Sequence, residues 1–190
     1  MTEPRRADKM TVRDTPLLVV VTGPPAAGKT TIARAVADRL GLPLLAKDPI
    51  KETLGETLGV RGRAASQTLG GATFDVVFRV LEELLRAGVS VVVEGNFGHP
   101  EPFARLPATR VLQVHVSAPP DELQERLAGR VGRHPVHYDA EAAYEIAERT
   151  AAGEWEPLPI DGELLRIDTD PFPDVAKVAE RVAAATRRSA

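Results

Sequence analysis

The chain has 190 residues and a mass of 20.4 kDa, the size of one ordinary domain. Its formal net charge of -3 excludes an overall basic field for nucleic acid, and its lack of cysteine excludes disulfide frameworks, zinc–thiolate sites and thiol nucleophiles. Nineteen Arg stand against five Lys (Lys9, Lys29, Lys47, Lys51 and Lys177), so the place of each lysine is informative.

Residues 1–15 read as a polar N-terminal arm and 16–190 as one domain. The apolar run 17–21 (Leu-Leu-Val-Val-Val) is far too short for a secretory core or a membrane span. Together with the missing cysteine, this points to a cytoplasmic chain. Run 17–21 suits a strand buried on both faces of a parallel sheet. Ile32, Ala33, Val36, Ala37 and Leu40 then recur at helical spacing over 28–40, and Gly41 and Pro43 end that helix.

A second strand is expected at 42–46, and Asp48-Pro49 reads as the N-cap and first residue of the next helix. Residues 53–73 read as a polar interruption. Phe74, Val77, Phe78, Leu81, Leu84 and Leu85 form a clear amphipathic stripe with Gly88 as stop. Strands follow at 89–93 and 111–116, a helix opens at Pro119-Pro120-Asp121-Glu122, and a fifth strand is expected at 164–167. Val175, Val178, Ala179 and Val182 define a closing helix. Strands alternating with helices imply right-handed crossovers and a parallel sheet covered on both faces.

The sequence Gly23-Pro24-Pro25-Ala26-Ala27-Gly28-Lys29-Thr30 fits G-x-x-x-x-G-K-[ST] and lies between a strand and a helix, the context the motif requires. Backbone N–H groups of such a loop and the helix N-terminus form an anion site. Lys29 supplies a point charge to the β- and γ-phosphates, and the Thr30 hydroxyl is suited to Mg²⁺.

On this loop the chain resembles the P-loop kinases. It is most similar to the small-molecule group typified by chloramphenicol phosphotransferase, with adenylate and shikimate kinases as wider relatives. The resemblance runs from residue 17 to about 169. It implies an α/β three-layer fold with a five-stranded parallel sheet of order 2-3-1-4-5 and helices on both faces. It also implies an acceptor-binding region at about 48–73 and a lid at about 126–153.

Three of the five lysines (Lys29, Lys47 and Lys51) fall close together, and Asp48 follows the second strand at the sheet edge beside the phosphate loop. The resemblance implies that Asp48 accepts or orients the proton of the acceptor hydroxyl. A bare N-cap is the competing role for it. Lys47 and Lys51 are candidates to contact substrate, with solvated helix residues as the alternative reading of both.

Glu94 ends a Val-Val-Val run where related kinases place a Mg²⁺-supporting acid, so it is assigned to the metal or to substrate. Asn96 is a substrate candidate or a turn residue. Arg126 and Arg130 share a helical face. The resemblance assigns Arg126 to the adenine and Arg130 to the transferring phosphate; Arg133 is a candidate second phosphate contact, since fixed guanidinium charge stabilises a transferring phosphoryl group.

Within the phosphate loop, Gly23, Pro24, Ala26, Ala27, Gly28, Lys29, Thr30 and the following Thr31 are expected to hold ATP. Arg61 and Arg63 would suit an anionic acceptor. His134 and His137 are read as hydrogen-bonding residues of the lid, His115 as a satisfied residue of the sheet, and His99 as a pocket candidate. Trp155, the one tryptophan, could anchor the lid or cover the acceptor.

The resulting expectation is an ATP- and Mg²⁺-dependent phosphotransferase acting on a hydroxyl of a small molecule. The acidic balance and the 4% aromatic content argue against a nucleic-acid platform. Two alternatives remain, a nucleotide or polynucleotide 5′-hydroxyl kinase and a nucleotide-dependent switch or ATPase.

Overall fold

Strand β1 (Leu17–Thr22) runs through the centre of the molecule with all six of its residues buried, as its unbroken apolar run requires. The fold is taken from a computed structural model, which describes residues 15–130 and 134–188. Residues 1–14 of the expected arm at 1–15, and Arg133, lie outside the described residues.

Around β1 the chain forms α1 (Lys29–Leu40), β2 (Leu44–Ala46), α2 (Lys47–Thr57), α3 (Arg63–Arg86), β3 (Val91–Glu94), α4 (Glu101–Ala104) and β4 (Arg110–Ser117). It continues through α5 (Pro120–Ala128), α6 (Asp139–Ala151), β5 (Glu163–Asp168) and α7 (Val175–Arg188). All sheet pairs are parallel and the order is β2-β3-β1-β4-β5, the topology expected from the sequence. Among the described residues no helix is long and apolar enough to cross a membrane.

The period-two alternation of β1 divides the core. Leu17, Val19 and Val21 pack with Ile32 and Val36 of α1, Leu123 and Leu127 of α5, and Val178 and Val182 of α7. Leu18 and Val20 face the other way, against Val77, Leu81 and Leu85 of α3 and against Phe97 and Phe103. Each fully buried Val or Leu here contributes about 1.5–3 kcal/mol relative to exposure.

Three local expectations are corrected. Helix α3 begins at Arg63, not near Phe74. Ser66, Leu69, Thr73 and Val77 form its buried stripe, but with only two of the four strongly apolar and Gly70-Gly71 between them the periodicity is weak in sequence. Tertiary burial there outweighs the helix penalty of about 1 kcal/mol per glycine.

Asp48 is not an N-cap either. The chain passes directly from β2 into α2, so Ala46 occupies the cap and makes no side-chain cap bond, while Asp48 lies in the first turn. The helix dipole favours an acid there. Finally, Glu94 is the last residue of β3, not a residue beyond it. Helix α6 had no expectation attached to it.

Candidate functional site

Parallel register gathers the chemistry at one edge of the sheet. Glu94 is in register with Val21 of β1 and with Ala46 of β2. Its carboxylate therefore lies between the phosphate loop after β1 and the Lys47-Asp48 turn after β2. These are the C-terminal strand ends, where doubly wound sheets bind ligands.

The loop itself is fixed by backbone geometry. Gly23 has φ +138°, and a Cβ there would lie 1.9 Å from the Val116 carbonyl oxygen, so only glycine fits. Gly28 has φ +85° and caps α1, with the Phe172 ring 2.5 Å from where its Cβ would be. Lys29 is buried and donates to the Pro24 carbonyl at 2.7 Å. The Thr30 hydroxyl donates to Glu94 Oε2 at 3.2 Å. Glu94 is 4% exposed. Burial pushes its carboxyl above the usual carboxylate range; Asp48 adds to the rise, while Lys29, the Thr30 hydroxyl and Lys47 oppose it.

These groups face a cleft of about 510 Å³. Its nucleotide side includes Pro25, Ala26, Gly28, Lys29, Thr30 and Thr31. Lys47, Asp48, Lys51, Ser66, Glu94 and Asn96 line it as well. Arg130, Arg149 and Trp155, along the segment between β4 and β5, and Arg63 at the start of α3 are also among the lining residues. The sequence-derived candidates Lys29, Thr30, Asp48, Lys51, Glu94, Asn96 and Arg130 thus share one cavity.

Arg61 and Arg126 lie elsewhere, and the loop residues Gly23, Pro24 and Ala27 are not among the lining residues. Arg61 borders a separate cleft with Glu56, Val60 and His134, and its guanidinium donates to the Val60 carbonyl at 3.1 Å. Arg126 does not line the cavity. It donates to Glu122 at 2.7 Å, to Thr169 Oγ1 at 3.0 Å and to the Thr169 carbonyl at 2.7 Å. Thr169 is fully buried, and its hydroxyl lies 3.1 Å from the Ala27 carbonyl and 3.0 Å from that of Ser117. Arg126 therefore braces the phosphate loop from behind.

The segment after α5 is fastened to the α2–α3 wall. His134 lies 3.1 Å from Glu56 and His137 2.9 Å from Glu52. These are the acidic partners that sequence spacing did not show. Ser66 donates to the Val136 carbonyl at 2.6 Å, and the Gly62 amide donates to the Tyr138 hydroxyl at 2.8 Å. Among the described residues no group of three or more His, Asp or Glu is arranged to hold a metal.

His115 is only half satisfied among the described residues. Its Nε2 bonds the Trp155 carbonyl at 2.6 Å, while its buried Nδ1 has no partner. Burial lowers its pKa below the ordinary imidazole value, against the opposing pull of that carbonyl. His99 is exposed and outside the cavity lining.

The sequence reading did not single out Arg149. It stacks on Trp155 with its guanidinium carbon 5.1 Å from the ring centroid and pairs with Glu154. Its signal lay in α6, whose alanine-rich pattern has few large apolar residues.

Comparison with known proteins gives the same picture. The AAA domain family AAA_33 matches residues 18–150. A cytidylate kinase from Ignicoccus hospitalis is 32% identical over 134 residues, covering 70% of this chain and 73% of that one. A candidate kinase structure from Chloroflexus aurantiacus j-10-fl is 30% identical, with a TM-score of 0.80 over 90% of this chain and 98% of that one. An uncharacterized protein of Mycobacterium tuberculosis is 29% identical over 154 residues; the match takes in 73% of this chain but only 30% of the relative's length. The chain belongs to the AAA_33 family of P-loop kinases, with the phosphate loop, the sheet order and the cleft of that fold.

Proposed function

We propose that the chain transfers the γ-phosphoryl group of Mg-ATP to a hydroxyl of a small molecule. One observation carries this reading: Asp48 lines the same cleft as Lys29, Thr30 and Glu94.

The residues present fit Mg²⁺. A hydroxyl and a carboxylate 3.2 Å apart form an oxygen donor pair suited to a hard cation, and the cation would offset the cost of burying Glu94. Thr30 and Glu94 would hold it, and when bound it would neutralise charge on the β- and γ-phosphate oxygens.

The loop amides and Lys29 bind and orient the phosphates. Asp48 orients the acceptor hydroxyl. As the hydroxyl oxygen bonds the γ-phosphorus, the bond to the bridging oxygen breaks and leaves with ADP, and the hydroxyl proton passes to the Asp48 carboxylate. A loose transition state demands little base strength of that carboxylate. Arg130, and Arg133 from outside the described residues, stabilise the moving phosphoryl charge. Arg126 serves nucleotide binding by holding Thr169 against the loop. Segment 126–153 acts as the lid and excludes water, while residues 48–73 form the acceptor wall.

A second reading, transfer to the phosphate of a nucleotide, is favoured by the 32% identical cytidylate kinase. Incubation with Mg-ATP and a pool of hydroxyl compounds plus nucleoside monophosphates, followed by mass spectrometry, separates the two. The main reading predicts a new phosphate monoester. A nucleoside diphosphate formed from an added monophosphate, distinct from the ADP that both reactions release, with no new monoester, would support the second.

A further inference from the structure

The acceptor wall contains a cation that neither the phosphate loop nor the transfer step uses. Lys47, the first residue of α2, is 8% exposed, yet its ammonium makes no hydrogen bond among the described residues. It lies 3.5 Å from an Asp48 carboxylate oxygen and 5.2 Å from the centroid of the Phe74 ring. The first distance is too long for a good hydrogen bond, and the ring supplies no lone pair.

An ammonium carries three N–H donors, and taking it out of water costs several kcal/mol unless charge and donors are both matched. Asp48 is a poor permanent match, because hydroxyl activation requires the same carboxylate. Of the other acids in the lining, Glu52 pairs with His137 and Glu145 with Arg63, while Glu94, on which the Lys47 charge also acts, accepts from Thr30 and is the acid assigned to Mg²⁺ above.

Lys51 lies one helical turn beyond Lys47, on the same face of α2, and is also 8% exposed. It donates to Ser66 Oγ at 2.8 Å and lines the same wall. Two buried ammonium groups therefore line the same cavity as Asp48. A neutral alcohol could accept hydrogen bonds from Lys47 but would leave its charge matched at close range only by the Asp48 carboxylate that hydroxyl activation requires. A carboxylate or phosphate ester would satisfy both.

Resting on the kinase reading above, we propose that the acceptor is an anionic alcohol. Its carboxylate or phosphate ester is bound by Lys47, with Lys51 beside it, while Asp48 receives the hydroxyl. Lys47 is then a specificity-determining residue for the acceptor and has no role toward ATP.

The test uses the full chain with saturating Mg-ATP and matched acceptor pairs. One arm sets hydroxy acids against their primary amides; the other sets hydroxyalkyl phosphates against the parent neutral alcohols. Discrimination of about a hundredfold in kcat/KM is expected in favour of at least one anionic set, the scale of a buried charge-assisted contact.

Lys47→Met should raise KM for the preferred anion about tenfold to hundredfold, far more than for the neutral partner, with KM for ATP unchanged. Lys47→Arg should recover part of the loss. Equal use of both members of every pair would overturn the proposal while leaving the kinase reading intact. So would a Lys47→Met variant whose kcat falls alike for anion and neutral partner, because Lys47 would then serve the phosphoryl group. Absence of any phosphorylated hydroxyl compound would remove the kinase reading and this inference with it.

Discussion

Replacing Glu94 by Gln separates a carboxylate kept for a cation from one kept for structure. Glu94 is 4% exposed, and burial holds its carboxyl above the usual range despite Lys29, Thr30 and Lys47. In the protein without ligand, the ionised form thus costs more than its neighbours return. Its contribution to stability is fully present below the unfolded value of about 4.3 and is lost as pH rises through the higher folded value.

Gln keeps an acceptor oxygen for the Thr30 hydroxyl and removes the charge. Glu94→Gln should therefore leave the ligand-free protein more stable at pH 8 by about 1–2 kcal/mol, the scale of one buried polar mismatch. That corresponds to a rise of roughly 2–8 °C in Tm for a domain of this size. The gain should shrink toward pH 4. In the same variant, Mg²⁺ should no longer strengthen binding of a non-hydrolysable ATP analogue. Thermal denaturation in EDTA across this pH range, with nucleotide titrations alongside, reads both effects. A variant clearly less stable than the parent at pH 8 would refute the reasoning and make Glu94 a structural partner of Lys29 and Thr30.

Lys29→Ala and Asp48→Asn should both abolish transfer, yet only Lys29→Ala should greatly weaken ATP binding in equilibrium titrations; equal losses would remove Asp48 from its assigned role. Arg126→Ala should cost about 2 kcal/mol in urea denaturation, because it removes charge-assisted bonds to Thr169 and Glu122. Unchanged stability with weakened ATP binding would instead mean that Arg126 acts on the nucleotide directly. Gly55→Ala suits the helix but places a methyl 2.8 Å from Val136 Cγ2, so it should raise acceptor KM several-fold and spare KM for ATP. Adding Val136→Ala should restore the acceptor KM; failure of that rescue would show that the Val136 seat does not govern acceptor binding.

The central part of the fold was legible because its signals are local. The Val-rich strands, the helical spacing of Ile32, Val36 and Leu40, and the loop from Gly23 to Thr30 each specify their own geometry. What stayed hidden depends on distant partners. Helix α3 is held before Phe74 by Leu69 and Thr73 packing inward, a burial that its paired glycines obscure.

Asp48 looked like a cap because Asp-Pro favours one, but β2 leads into α2 two residues earlier. The pairing of His134 with Glu56 and of His137 with Glu52 joins residues 78 and 85 positions apart, which spacing cannot reveal. Arg126 was placed at the nucleotide by resemblance, and only the position of Thr169 shows what it holds. Within the loop, the need for glycine at Gly23 arises from the Val116 carbonyl on β4, a contact absent from the motif itself.

The central claim is that ATP cleavage in this cleft is coupled to an acceptor. It is tested most directly by measuring ADP release by the full chain with Mg-ATP, before and after an accepted hydroxyl compound is added. The account predicts slow release alone, and with acceptor a large stimulation in which ADP and phosphorylated product appear one for one. ADP and inorganic phosphate released at the same rate with or without acceptor would contradict it.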